Sequence, residues 1–220
     1  MYSGQEAENM TRFAPIMIAL MALGLSACAT PEAVSRGAPL DAPASFASPY
    51  SPAALNVQAN NWSVQDVTVT VPRSLEVSEA NGFKPRADIL WRDDPYGDRY
   101  VQVETLMQDA FDYAFRPLNG PIPVNVEITV NRFHAVTERA RYTIGGDHEI
   151  VFTMIVRDAQ SGDALSTPET YDVTFRALGG SAAIAAEQRG LGQKERIQSH
   201  LAGWTERQFG LNSTAVAQAY

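Results

Sequence analysis

Val103, Leu106, Met107, Ala110, Phe111 and Ala114 recur at spacings of three and four, with Glu104, Gln108, Asp109 and Asp112 opposite them. That period predicts an amphipathic helix over about 98–116, and no other stretch constrains the fold as much. A helix with one apolar stripe has to bury it against a second layer. Asp94-Pro95 is expected to open this helix, with the proline in its first turn, and Asn119-Gly120-Pro121 to stop it.

The rest of the chain supplies the second layer. Val67, Val69 and Val71 alternate with polar residues, the period of a half-buried strand closed by Pro72. A loop carrying Asn81-Gly82 and Pro85 follows, and residues 87–91 predict a short second strand or an extended lead-in to the helix. Beyond the helix, Val124, Val126, Ile128 and Val130 alternate again. Arg132-Phe133-His134 then leads to a turn near Thr137-Glu138, and the chain is expected to return through Tyr142 and Ile144. Gly145-Gly146 interrupts that return before Ile150, Phe152, Met154 and Val156 resume, so the glycines are expected to bend or bulge one long strand. Val151 and Ile155 make it apolar on both faces, which suits a central strand. Residues 158–162 read as a hairpin turn, and Tyr171, Val173 and Phe175 mark the last strand. Ser181 is expected to cap a short alanine-rich helix to about Arg189. Ile197, Leu201, Trp204 and Gln208 stripe a final helix over 193–209, ended by Gly210. The expected fold is α+β: an antiparallel sheet of about four strands with two main helices packed on one face, in a single domain over 62–211.

The N-terminal segment has a different character. Residues 13–25 form an apolar run behind Arg12, too short for a comfortable membrane span and suited to the core of a signal peptide covering 1–27. Residues 1–9 carry Glu6 and Glu8 and no base, the wrong charge for the start of such a signal, so Met10 is expected to be the working start. The run ends in Leu25-Ser26-Ala27-Cys28, and Cys28 is the only cysteine. A thiolate is the best side-chain nucleophile for accepting a lipid. From there to residue 61, Pro31, Pro39, Pro43, Pro49 and Pro52 stand among Ala and Ser. Burial cannot repay the ordering of such a stretch, which predicts a disordered tether with ends roughly 30 Å apart. Residues 212–220 are expected to be a short tail.

Leu-Ser-Ala-Cys at 25–28 resembles the lipobox of bacterial lipoproteins. The resemblance implies a diacylglyceryl group on the Cys28 thiol, cleavage before Cys28, and acylation, palmitate being typical, of the new amine. Two or more acyl chains would hold the protein stably. Ala29, where an Asp would favour the inner membrane, implies the outer membrane with the domain facing the periplasm. The succession of lipobox, tether, early valine strand, helix, meander and final helix is similar to that of the auxiliary lipoproteins of ABC-type transport systems. More loosely it resembles lipopolysaccharide-assembly lipoproteins, and the run Thr-Glu-Arg-Ala-Arg-Tyr-Thr-Ile-Gly-Gly at 137–146 resembles an uncharacterised family of bacterial lipoproteins. These resemblances imply a non-enzymatic accessory or assembly component of an envelope or transport complex, with an envelope protein as partner. A lipid- or small-molecule-binding module, with a pocket between helices and sheet, is the alternative.

Candidate chemistry is sparse. There is no Gly-x-Ser-x-Gly elbow and no phosphate-binding glycine loop, and His134, His148 and His200 are scattered. No catalytic set, cofactor or metal site is therefore expected. Asp93, Asp94 and Asp98 could take a divalent cation, although capping and the helix dipole already favour acids at a helix start. Trp91 is expected to be a core or interface anchor and not a stacking platform for a ligand. The chain has 17 Lys and Arg against 25 Asp and Glu, a net charge of −8, which argues against nucleic acid as a partner. Counted from Cys28 the balance is 16 against 23. Within this acidic chain, Arg132, His134, Arg139, Arg141 and His148 gather positive or titratable groups on one predicted hairpin, a candidate partner contact. The plainer alternative is a solvated hairpin whose charges pair with Glu127, Glu138, Asp147 and Glu149.

Overall fold

The computed structural model describes residues 59–211. The expected signal peptide, Cys28, nearly all of the expected tether and the expected tail lie outside the described residues. The elements in order are β1 (Trp62–Thr70), β2 (Ile89–Leu90), α1 (Arg99–Phe115), β3 (Ile122–His134), α2 (Glu138–Arg141), β4 (Gly146–Asp158), β5 (Glu169–Asp172), β6 (Phe175–Ala177), α3 (Ser181–Glu187) and α4 (Gln193–Phe209).

The class is α+β, but the sheet is mixed and not purely antiparallel. β1 runs parallel to β3 from Trp62↔Ile122 to Thr70↔Thr129, and β2 continues the same edge parallel to the end of β3 at Phe133 and His134. β4 lies antiparallel to β3, and β5 and β6 are antiparallel on the far edge of β4. Six strands therefore fill four positions across the sheet. The physical reason is the 17-residue α1 between β1 and β3. A helical crossover carries the chain back so that the next strand enters in the same direction. The antiparallel expectation overlooked that crossover.

α1 starts from Asp98, whose carboxylate accepts from the Tyr100 and Val101 amides, so Pro95 precedes the helix instead of opening it. Its apolar stripe is buried as expected and meets α4 over the sheet. There Phe111 packs edge-on to Phe152 with ring centroids 5.2 Å apart, Trp204 does the same to Phe152 at 5.2 Å, and Phe115 meets Phe209 at 5.3 Å. The buried stripe of α4 runs through Ile197 and Leu201 to Thr205 and Phe209, so Gln208 falls beside it. Gln108 leaves the polar face of α1 to close the open edge of β1. Its amide donates to the Val67 carbonyl at 2.6 Å and its oxygen accepts from the Val69 amide at 2.9 Å.

Further departures shape one end of the sheet. β3 shifts register between Val130 and Arg132. The extra residue puts Phe133 on the helix side with Ile150 and turns Arg132 and His134 to the opposite face. The expected hairpin return is instead a helical turn, α2, capped by the Thr137 hydroxyl on the Ala140 amide at 3.1 Å. Gly145, at φ 73°, closes that turn by donating to the Ala140 carbonyl at 2.8 Å, and β4 begins only at Gly146. The glycines thus end a turn and make no bulge. Against them lies Gly179, where a Cβ would stand 2.2 Å from the Gly145 nitrogen. The last strand is split at Val173 and Thr174 into β5 and β6, and Gly180, not Ser181, occupies the capping position of α3.

Candidate functional site

The bulge in β3 and the α2 turn divide the five predicted contact residues among three environments. Arg132 and His134 lie on the sheet face away from the helices, under the 84–88 loop. Arg132 pairs with Glu149 at 2.8 Å and donates to the Ala87 carbonyl at 2.9 Å. Burial alone would raise the Glu149 carboxyl, but hydrogen bonds from Lys84 and Arg132 outweigh it and hold the pKa below the usual range. His134 is buried with Nε2 2.8 Å from the Pro85 carbonyl, and burial pushes its pKa down. Arg139 is the one exposed member, with its guanidinium over the Phe83 ring at 4.6 Å. The hairpin's expected acid partners are mostly engaged elsewhere: Glu138 with Arg92, Asp147 with Arg176, and Glu127 with Arg157.

Arg141 and His148 come together on the helix side. Only 12% of the Arg141 side chain is exposed. Burial opposes its charge, but a hydrogen bond and ion pair to Asp93 more than compensate, and Glu187 adds an ion pair at 3.4 Å. His148, at 2% exposure, packs its ring 4.8 Å from that of Phe175. Burial, followed by the cationic neighbours Arg196, His200 and Arg141, pushes its pKa down to about 3. Gln193 and Arg196, from the first turn of α4, complete the group. Burial lowers the Arg196 pKa. Its guanidinium donates to the Arg176 carbonyl at 3.2 Å and pairs with no carboxylate among the described residues.

These five side chains line a cavity of about 20 Å³ between β4, α2, α3 and α4. Apolar side chains stand exposed at the same end: Tyr142 and Ile144 after α2, Ile184 on α3, and Leu191 at the cavity itself. The Tyr142 hydroxyl donates to Glu187 at 3.2 Å, joining that rim to the polar group. Sequence reading missed Glu187, Gln193 and Arg196. One signal was available: Gln193, Arg196 and His200 are spaced three and four apart, a polar stripe alongside the apolar one of α4.

The acidic trio does not act as a unit. Asp98 caps α1 and pairs with Arg73 at 2.8 Å, Asp94 accepts from the Trp91 indole at 2.7 Å and pairs with Lys194, and Asp93 holds Arg141. Trp91 itself is fully buried against Phe133. No group of three or more metal-ligating side chains occurs among the described residues.

A family model described as a family of unknown function, DUF6778, matches residues 62–220. No curated protein matches the chain. Among solved structures, a candidate lipoprotein from Caulobacter crescentus CB15 is 17% identical, over 70% of this chain and 98% of that one, with a TM-score of 0.29. A Xanthomonas campestris protein of the family DUF330 is 12% identical, over 69% and 89%, with a TM-score of 0.38. An uncharacterised protein is 14% identical, over 69% and 90%, at 0.33.

Proposed function

This chain belongs to that family of unknown function, and from this premise we propose that it is a lipid-anchored envelope protein whose folded part works by contact. The observation that carries the reading is Leu25-Ser26-Ala27-Cys28 at the end of a signal-like apolar run, with the only cysteine at the acceptor position. Ala29 favours the outer membrane, facing the periplasm. The resemblance to auxiliary lipoproteins of ABC-type transport systems favours an accessory role in an envelope or transport assembly. Contact is favoured over catalysis because the titratable groups of the domain are largely spent on one another: Arg141 on Asp93, Arg92 on Glu138, Arg99 on Glu79, and Arg132 on Glu149. The exposed Tyr142, Ile144, Ile184 and Leu191 favour the same reading, since apolar groups gathered at one end of a domain mark contact surfaces.

Cys28→Ala tests the anchor. In cells fed a labelled fatty acid, the wild-type chain should carry label and sediment with the outer membrane, and the variant should lose both. A variant that stays wholly in the outer-membrane fraction would sink the reading. Crosslinking in intact cells then identifies what the anchored domain touches.

The alternative, a small-ligand module, has the cavity at Arg141 and His148 in its favour. At about 20 Å³ that cavity is far below the several hundred Å³ of an ordinary ligand pocket and has no room for an acyl chain.

A further inference from the structure

Five buried side-chain atoms at the cavity have no hydrogen-bond partner among the described residues: Arg141 Nε, His148 Nδ1, Glu187 Oε1, Gln193 Oε1 and Arg196 Nε. Such atoms are rare in folded proteins, and five of them on residues that line one cavity point to a ligand there. Arg141 Nε and Glu187 Oε1 stand 3.4 Å apart, an ion pair without hydrogen-bonding geometry.

Charge and valence decide the ligand's class. Two guanidinium groups, Arg141 and Arg196, and two carboxylates, Asp93 and Glu187, stand at the site; both carboxylates pair with Arg141, but the four charges sum to zero, which favours a neutral ligand over an ion. An anion would face the Glu187 and Gln193 oxygens, and a cation would face two guanidinium groups. An apolar guest would leave all five atoms unpaired. Two N–H donors, two oxygen acceptors and a ring nitrogen able to play either part match a neutral group that donates twice and accepts twice. A cavity of about 20 Å³ admits one such molecule of water's size.

We infer that this cavity is a binding site for a single neutral hydroxyl-sized ligand, water in the free protein, which bridges β4 and α2 to α3 and α4. The bridge ties Glu187 and Gln193 across the 188–192 connection that carries Leu191. It therefore holds the apolar rim against the end of the sheet, and it goes beyond the proposed anchoring and contact role.

Crystals of the full chain, purified in detergent and grown in sodium bromide, distinguish the ligands at high resolution. The expected result is one peak without anomalous signal, 2.6–3.2 Å from at least three of the five atoms. Absence of density in the cavity, or an anomalous bromide peak there, would overturn the proposal. Ala183→Val supplies a solution test, because Ala183 is buried at the cavity wall and bears no polar group. Filling a hydrated polar cavity orphans its lining, so the melting temperature should fall by several degrees and the peak should vanish. A dry cavity would instead be stabilised by the added methyl groups, and a rise in melting temperature would overturn the proposal.

Discussion

Phe111 and Arg141 are both largely shielded from water, but opposite physics holds them. Around Phe111 lies a dry aromatic core in which Phe115, Phe152 and Trp204 meet it ring to ring. Its stability is an area effect, non-directional and spread over many contacts. Around Arg141 lies a polar end where α2, β4, α3 and α4 converge and each group depends on one or two partners. There removal of a single partner leaves a charge or a donor stranded. The core tolerates approximation in its side chains, whereas the polar end works only when every member is in place.

Substitution at each region sharpens that contrast. Phe111→Ala should cause the largest loss, about 3–5 kcal/mol by chemical denaturation. A loss under about 1 kcal/mol would mean the ring is not central to the core. Arg141→Gln should follow at about 2–3 kcal/mol, because it strands Asp93 and Glu187 in a mostly buried place. An effect no larger than that of the exposed Arg139 would erase the distinction between the regions. Acidification should separate them without a cavity. The unfolded His148 titrates near 6.5, but the folded residue stays neutral down to about 3. Between those values the unfolded chain binds a proton that the folded chain refuses, so the contribution is full above pH 6.5 and is lost as pH falls. The slope should reach about 1.4 kcal/mol per pH unit from this residue. Denaturation at pH 6.5 and 5.0 should show a shallower fall for His148→Gln, and equal slopes would refute the buried neutral histidine. Smallest is Arg139→Gln, expected to cost under about 1 kcal/mol, since only a cation–π contact at the surface is lost.

The aromatic core was legible because it repeats. The stripe from Val103 to Ala114 and the alternation from Val124 to Val130 are local periods, and the faces they define are the faces that are buried. The polar end was legible only as a list of charges. Arg141 and His148 belonged to it, but Arg132 and His134 did not, because one extra residue after Val130 sends them to the other side of the sheet. A bulge changes no composition and breaks the alternation by a single step, which Arg132-Phe133-His134 displays without declaring.

Local pattern in the chain specified α1, α3 and α4, the alternating stretches of β1, β3 and β4, the core faces up to Val130, and the single cysteine behind an apolar run. These depend on intervals of two, three and four residues, or on one local motif. Packing between distant segments, in contrast, makes β1 and β3 parallel and brings Asp93, Arg141, His148, Glu187, Gln193 and Arg196 together, although Asp93 and Arg196 lie 103 positions apart. Side chains that distant in sequence become neighbours through the packing of α3 and α4 against the end of the sheet. Their partners, and hence their protonation, are properties of that packing.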